Sequence, residues 1–260
     1  MLVDSHAHLL SLEDPAGSVS RAAEQGIGKI ISIGTGIESS LATLGFADKY
    51  RGVYVSVGIH PHSASSFSEE AMREFEAMAV VPKVVAIGET GLDYHYMNSS
   101  REDQIRSFEA HISLARRHGL PFVVHVRDAE DELLSILRAA DLGEKPGVIH
   151  CFSGNYETAK RYIDLGFFIS FSGIVTFKKA EEVRDAAGKI PIERLLYETD
   201  SPYLAPVPER GKPNEPRNVV YVARVLSRIR GLSLEKFTSI VFENMTELFA
   251  KVSKDRDSLI

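Results

Sequence analysis

The sequence predicts a closed parallel (β/α)8 barrel, a TIM barrel, with one extra C-terminal helix, and three observations carry that reading. Eight short apolar runs follow one another along the chain: "LVDSHAHL", "KIISIG", "VYVSVGIH", "VVAIGETG", "PFVVHV", "GVIHCF", "FFISFSG" and "LLYETDSP". Runs of this length and apolarity are those of strands buried on both faces. Stretches with helical spacing lie between them, so strand and helix alternate throughout, and the 260 residues match the length that eight such units occupy in a barrel. An open doubly wound sheet satisfies the same alternation, because periodicity does not register closure.

The clearest helix is "REDQIRSFEAHISLARRHG", where Ile105, Phe108, Ile112 and Ala115 share one face and Gly119 supplies the stop. Beyond about residue 231, "GLSLEKFTSIVFENMTELFAKV" reads as a further helix packed on the outside. With no repeat, low-complexity tract or linker, residues 1–260 read as one domain. A 44% hydrophobic chain of this length can bury a sizeable core. A net charge of −6 argues against a broad basic face that coats duplex nucleic acid, although a local basic rim is compatible with it. Cys151 is the single cysteine, which excludes an internal disulfide framework, and the first residues lack a basic segment followed by a long apolar run. The expectation is a cytoplasmic monomer without a membrane segment.

Polar residues at the ends of the runs carry the chemistry. Strand side chains two apart point the same way, so His6 and His8 converge near the carboxyl end of the first strand. Glu89, His125, His150 and Asp200 close four further runs. Each alone has an ordinary explanation, such as a rim salt bridge or a hydrogen-bonded core histidine. Together they deliver four imidazoles and two carboxylates to one rim, which is costly to bury unless a cation neutralises them. Imidazole and carboxylate are ligands of zinc, manganese, nickel and magnesium. Cys151, one residue from His150, is expected to point away as a small buried hydrophobe.

The segments "DSHAHL", "GIHPH", "GETGLDY", "Q...F..H..LA", "P.VVHVRDA", "HCFSG" and "YETDSPYL" together resemble the TatD family of metal-dependent deoxyribonucleases, within the amidohydrolase-like barrel superfamily. The resemblance covers essentially the whole chain. It implies a two-metal hydrolase in which His6, His8 and Asp200 hold one divalent ion, His125 and His150 hold the other, and Glu89 bridges. Related amidohydrolases often bridge with a carbamylated lysine; no lysine matches here, so Glu89 takes that place. The resemblance also implies that His62 contacts phosphate and that Asp93, Tyr94 and Arg127 contact the nucleotide.

Two ions about 3.5–4 Å apart can activate a shared water and clamp the oxygens of a phosphodiester during in-line displacement. Asp200 is placed to accept the water's proton. Glu198, two residues earlier, reads either as a carboxylate that orients ligands or as a barrel-layer carboxylate paired with an arginine. The late loops "GIVTFKKAEEV" and "VPERGKPNEPRNV" offer Lys178, Lys179, Arg210, Lys212 and Arg217 to phosphates. The expected partner is DNA, single-stranded or frayed at an end. The alternatives are hydrolysis of an amide or ester, aminoacyl ester included, and metal binding without turnover.

Overall fold

The computed structural model describes residues 1–144, 146–254 and 259–260. Each apolar run becomes a strand: β1 Leu2–Ala7, β2 Ile27–Ile33, β3 Val53–Val57, β4 Val84–Asp93, β5 Phe122–Arg127, β6 Gly147–Ile149, β7 Phe168–Phe171 and β8 Leu195–Tyr197. They form one sheet in sequence order, and every pairing is parallel. One helix follows each strand: α1 Pro15–Glu24, α2 Ile37–Ala47, α3 Glu69–Ala79, α4 Arg101–His118, α5 Glu130–Ala139, α6 Tyr156–Ile163, α7 Glu181–Lys189 and α8 Val219–Ile229. The fold is the (β/α)8 barrel, not the open sheet.

The extra helix, α9 Leu234–Leu248, packs against β1, β8 and α8. Phe237 stacks on Tyr197 with ring centroids 5.9 Å apart, and Asn244 Nδ2 donates to the carbonyls of Ile192 and Leu195. The α4 helix begins at Ser100, whose side chain accepts from the Asp103 amide, and ends at Gly119 in the left-handed region (φ 61°). No helix among the described residues is long and apolar enough to cross a membrane.

The barrel closes where β8 returns to β1, and the closure is built from the residues that matter chemically. The Asp200 amide donates to the His6 carbonyl (3.0 Å) and the His8 amide to the Ser201 carbonyl (2.8 Å). Below them the buried Asp4 carboxylate accepts from the Thr199 amide (2.9 Å) and hydroxyl (2.6 Å). Among the described residues the ladder slips at four places, including those between Asp4 and Ala7 on β1 and between Ile87 and Thr90 on β4. Such irregularities re-aim side chains, and the stretches that slip contain His6 and Glu89.

Candidate metal centre

Glu89 sits inside β4 between two glycines whose backbones forbid a side chain. Gly88 (φ 126°) and Gly91 (φ 137°) press against β5, and a Cβ there would meet the Val123 carbonyl oxygen at 2.5 Å and the His125 carbonyl oxygen at 2.0 Å. Five imidazoles surround the buried Glu89 carboxylate. Its Oε1 faces His150 Nε2 (2.8 Å), His125 Nδ1 (3.1 Å) and His60 Nε2 (3.3 Å), while Oε2 faces His6 Nε2 (3.4 Å) and His8 Nε2 (3.6 Å). Asp200 Oδ1 completes the second group, 3.5 Å from His8 Nε2 and 3.7 Å from His6 Nε2. All six residues expected from the strand ends therefore meet at one mouth.

The electrostatics follow from burial and crowding. Burial pushes the Glu89 carboxyl up, but His150, His60 and His6 overcome it and hold the group well below its usual range. For Asp200 burial is likewise opposed by His8, His6 and His150, with a net lowering. Burial pulls His150 down, yet Glu89 and Glu198 leave it raised well above an ordinary imidazole. His6 is lowered by burial and by His150, whose ring stacks on it at 4.0 Å. Two like charges at that separation cannot both be carried.

The residues fit divalent cations. His6 Nε2 and His8 Nε2 lie 3.3 Å apart, as do His150 Nε2 and His125 Nδ1 at 3.4 Å, so nitrogen lone pairs are directed at common points. The buried Glu89 Oε2 has no hydrogen-bond partner among the described residues. An acceptor left so in the interior is costly unless a cation receives it. In three overlapping triads the possible ligand atoms lie within 4.8 Å of one another: His6–His8–Asp200, His6–Glu89–His150 and His60–Glu89–His125. The donors are nitrogen and oxygen without thiolate, a set suited to zinc, manganese or nickel.

His60 corrects the sequence reading, which gave β3 no part in the cluster. Its Nδ1 accepts the His62 amide (3.1 Å) across the Pro61 turn, and that bond swings Nε2 toward Glu89. Asp93 is the second correction. Rather than reaching outward to a nucleotide, its buried carboxylate bonds His125 Nε2 (3.0 Å) and His62 Nε2 (2.8 Å) and accepts the amides of His95 and Tyr96. It has little capacity left for substrate, and it orients His125 as carboxylates orient imidazole ligands. Tyr94 also turns away, into a side groove, where its hydroxyl donates to Glu132 (2.5 Å) and Arg101 lies over its ring.

Glu198 resolves toward ligand orientation: Oε1 accepts the Cys151 amide (2.7 Å) and faces His150 Nδ1 (3.3 Å), and no arginine bonds it among the described residues. Cys151 contacts Ser172 (3.3 Å), and burial pushes its thiol well up, so it stays protonated. Arg127 is exposed and lies over the Tyr96 ring (4.7 Å). On the late loops Lys212 pairs with Glu209, Arg217 with Glu215, and Arg210 stacks on Phe177. Lys178 and Lys179 are exposed and form no side-chain ion pair among the described residues.

Two supports on α4 went unread in the sequence, although both stand in the "Q...F..H..LA" segment. Gln104 accepts the Asp93 amide (2.7 Å) and donates to the Asp93 and Ser99 carbonyls. His111 Nε2 accepts the Ile59 amide (3.0 Å), and its Nδ1 donates to the Ser107 carbonyl (2.7 Å). A buried polar side chain on the barrel-facing side of an amphipathic helix was the available signal.

A parallel eight-stranded barrel with clustered imidazoles and carboxylates at its C-terminal mouth defines a metal-dependent hydrolase of amidohydrolase-like architecture. Comparison narrows the class. A sequence model of the TatD related DNase family matches residues 3–250, and the chain belongs to that family. It is 40% identical over 255 residues to the uncharacterized metal-dependent hydrolase YcfH of Escherichia coli K12, covering 95% of each chain. It is 36% identical to the uncharacterized metal-dependent hydrolase YabD of Bacillus subtilis, covering 96% of this chain and 99% of that one. The crystal structure of YJJV, a TatD homolog from Escherichia coli K12, superposes with a TM-score of 0.90 at 32% identity, covering 96% of this chain and 98% of the other.

Proposed function

We propose that this chain is a deoxyribonuclease that hydrolyses phosphodiester bonds at single-stranded or frayed DNA ends. The observation that carries the reading is Glu89, whose two oxygens each face a different group of imidazoles. That is the arrangement of a carboxylate shared between two cation sites. His6, His8 and Asp200 would hold one ion, and His125 and His150, joined by His60, the other. Bound divalent ions supply Lewis-acid polarisation of a phosphoryl oxygen and activation of water near neutral pH.

The chain's own groups do the rest. Asp200, held ionised, accepts the proton of the attacking water. Asp93 and Glu198 fix the ring directions of His125 and His150. His62, with its side chain 31% exposed, is the most open imidazole around the cluster and meets a phosphate oxygen of the substrate. Lys178 and Lys179 take further phosphates by charge.

The test supplies manganese-loaded protein with labelled single-stranded DNA and, in parallel, with ester and amide substrates. DNA should be degraded, chelation should abolish the activity, and manganese, zinc or nickel should restore it ahead of calcium. Full activity in a preparation shown to be metal-free, or turnover of only the ester or amide, sinks the reading. A second expectation concerns His62→Ala, which should lower kcat/KM on DNA by roughly 10²-fold with bound metal unchanged. A change of nearly nothing would make His62 a turn residue, and loss of a metal equivalent would place it in the coordination sphere.

A further inference from the structure

We infer that Tyr96 and Tyr203 are base-stacking platforms on opposite sides of the metal cluster, a step that rests on the DNA reading above. Few large apolar side chains among the described residues are exposed, and these two are among them, at 55% and 57%. Both stand beside the cluster. The Tyr203 ring meets His8 at 5.9 Å and near-perpendicular, and the Tyr96 ring meets His62 in the same way at 5.4 Å. Tyr203 follows β8 and Tyr96 follows β4, and strands four apart in an eight-stranded barrel are diametrically opposed. Contacts run from Tyr203 through His8 to Glu89, and from Glu89 through His60 and His62 to Tyr96, so the two rings flank the shared carboxylate across the mouth.

The backbones under the two rings are fixed to the site itself. The Tyr203 amide donates to the Asp200 carbonyl (2.9 Å), and its carbonyl accepts from Asn214 Nδ2 (2.7 Å). The Tyr96 amide donates to Asp93 Oδ1 (2.9 Å), and Arg127 covers one face of its ring at 4.7 Å. A rigidly carried aromatic ring left open to water is poor design for stability and good design for recognition, because every base offers a π face. A strand laid across the mouth places a phosphodiester over the cluster and a base against each tyrosine. Stacking reads no sequence, which agrees with a nuclease that acts on ends without regard to their bases.

The experiment compares wild type with Tyr96→Ala, Tyr203→Ala and Tyr203→Phe. Each manganese-loaded protein is given a single-stranded tetranucleotide and the same oligonucleotide with abasic sugars at the positions flanking the scissile bond. Affinity for the intact oligonucleotide is measured by fluorescence anisotropy in excess chelator, where nothing is cut. Each alanine variant should lose about 10- to 100-fold in kcat/KM on the intact oligonucleotide, mostly in KM and with a matching loss of affinity. The same variants should match wild type on the abasic oligonucleotide, and Tyr203→Phe should match it on both. Alanine variants equal to wild type on intact DNA, or equally impaired on the abasic form, overturn the stacking role while leaving the DNA reading in place. A wild-type protein that neither binds nor cuts either oligonucleotide overturns the DNA reading, and the stacking role with it.

Discussion

Glu89→Ala is expected to lower kcat/KM by roughly 10³-fold or more, to reduce bound metal, and to exceed the effect of His8→Ala. The divalent ions that Glu89 would hold supply several kcal/mol of transition-state charge stabilisation, and each 1.36 kcal/mol is tenfold in rate. The asymmetry between the two variants follows from the distances. Glu89 lies within 3.6 Å of five imidazoles, three on one oxygen and two on the other, whereas His8 approaches His6, Asp200 and only one of the two Glu89 oxygens. On the proposed two-ion arrangement, removing the first loses the spacing of both ion sites, and removing the second weakens one. Glu89→Gln keeps the volume and loses the charge, so an equal loss of turnover in that variant assigns the effect to charge. Metal content by elemental analysis and turnover on labelled DNA decide the matter, with circular dichroism to check the fold. A Glu89→Ala protein that binds a full complement of metal and turns over normally shows the bridge to be misassigned.

What could be read from the sequence and what could not divides along a physical line. His6, Glu89, His125 and His150 lie in or directly after apolar runs, so strand order and a common strand direction are enough to bring them to one end. His60 stands three residues past Val57, the last residue of β3. Its direction is set by a hydrogen bond across the Pro61 turn, a bond that a sequence does not display. Asp93 lies past the end of the apolar run "VVAIGETG", and the resemblance implies it only as a nucleotide contact. In the fold β4 runs ten residues, pairs Asp93 with Arg127 of β5, and buries the carboxylate against two imidazoles. Tyr96 and Tyr203 carry no shared signal in the sequence, because they lie more than a hundred residues apart in the chain and only barrel closure sets them across a common mouth.

The same distinction governs His111, whose replacement should give the largest loss of stability outside the metal cluster. The side chain is fully buried and bonded at both ring nitrogens, with Phe75 beside it. His111→Ala opens a cavity and strands the Ile59 amide next to His60, a combined cost of about 3–5 kcal/mol at pH 7. Its pH dependence separates this residue from any other core truncation. Burial holds the imidazole down at about 4 against an ordinary 6.5, with the Ser107 carbonyl opposing only in part. Between those two values the unfolded chain takes up a proton that the folded chain refuses. Wild-type stability therefore falls as the pH drops through that window, by about 2 kcal/mol between pH 7 and pH 5 from this group alone. The alanine variant lacks the group and escapes that part of the loss. Urea melts of chelated wild type and His111→Ala, taken at pH 7 and pH 5, should show the gap between them narrowing by about that amount. Chelation keeps acid release of metal out of the comparison, and the titrations of the remaining histidines are common to both proteins. A gap that stays constant across the two pH values would mean that His111 takes up its proton in the fold as readily as in the unfolded chain, and its bond to the Ile59 amide would then be lost at pH 5, because a protonated imidazole has no acceptor to offer.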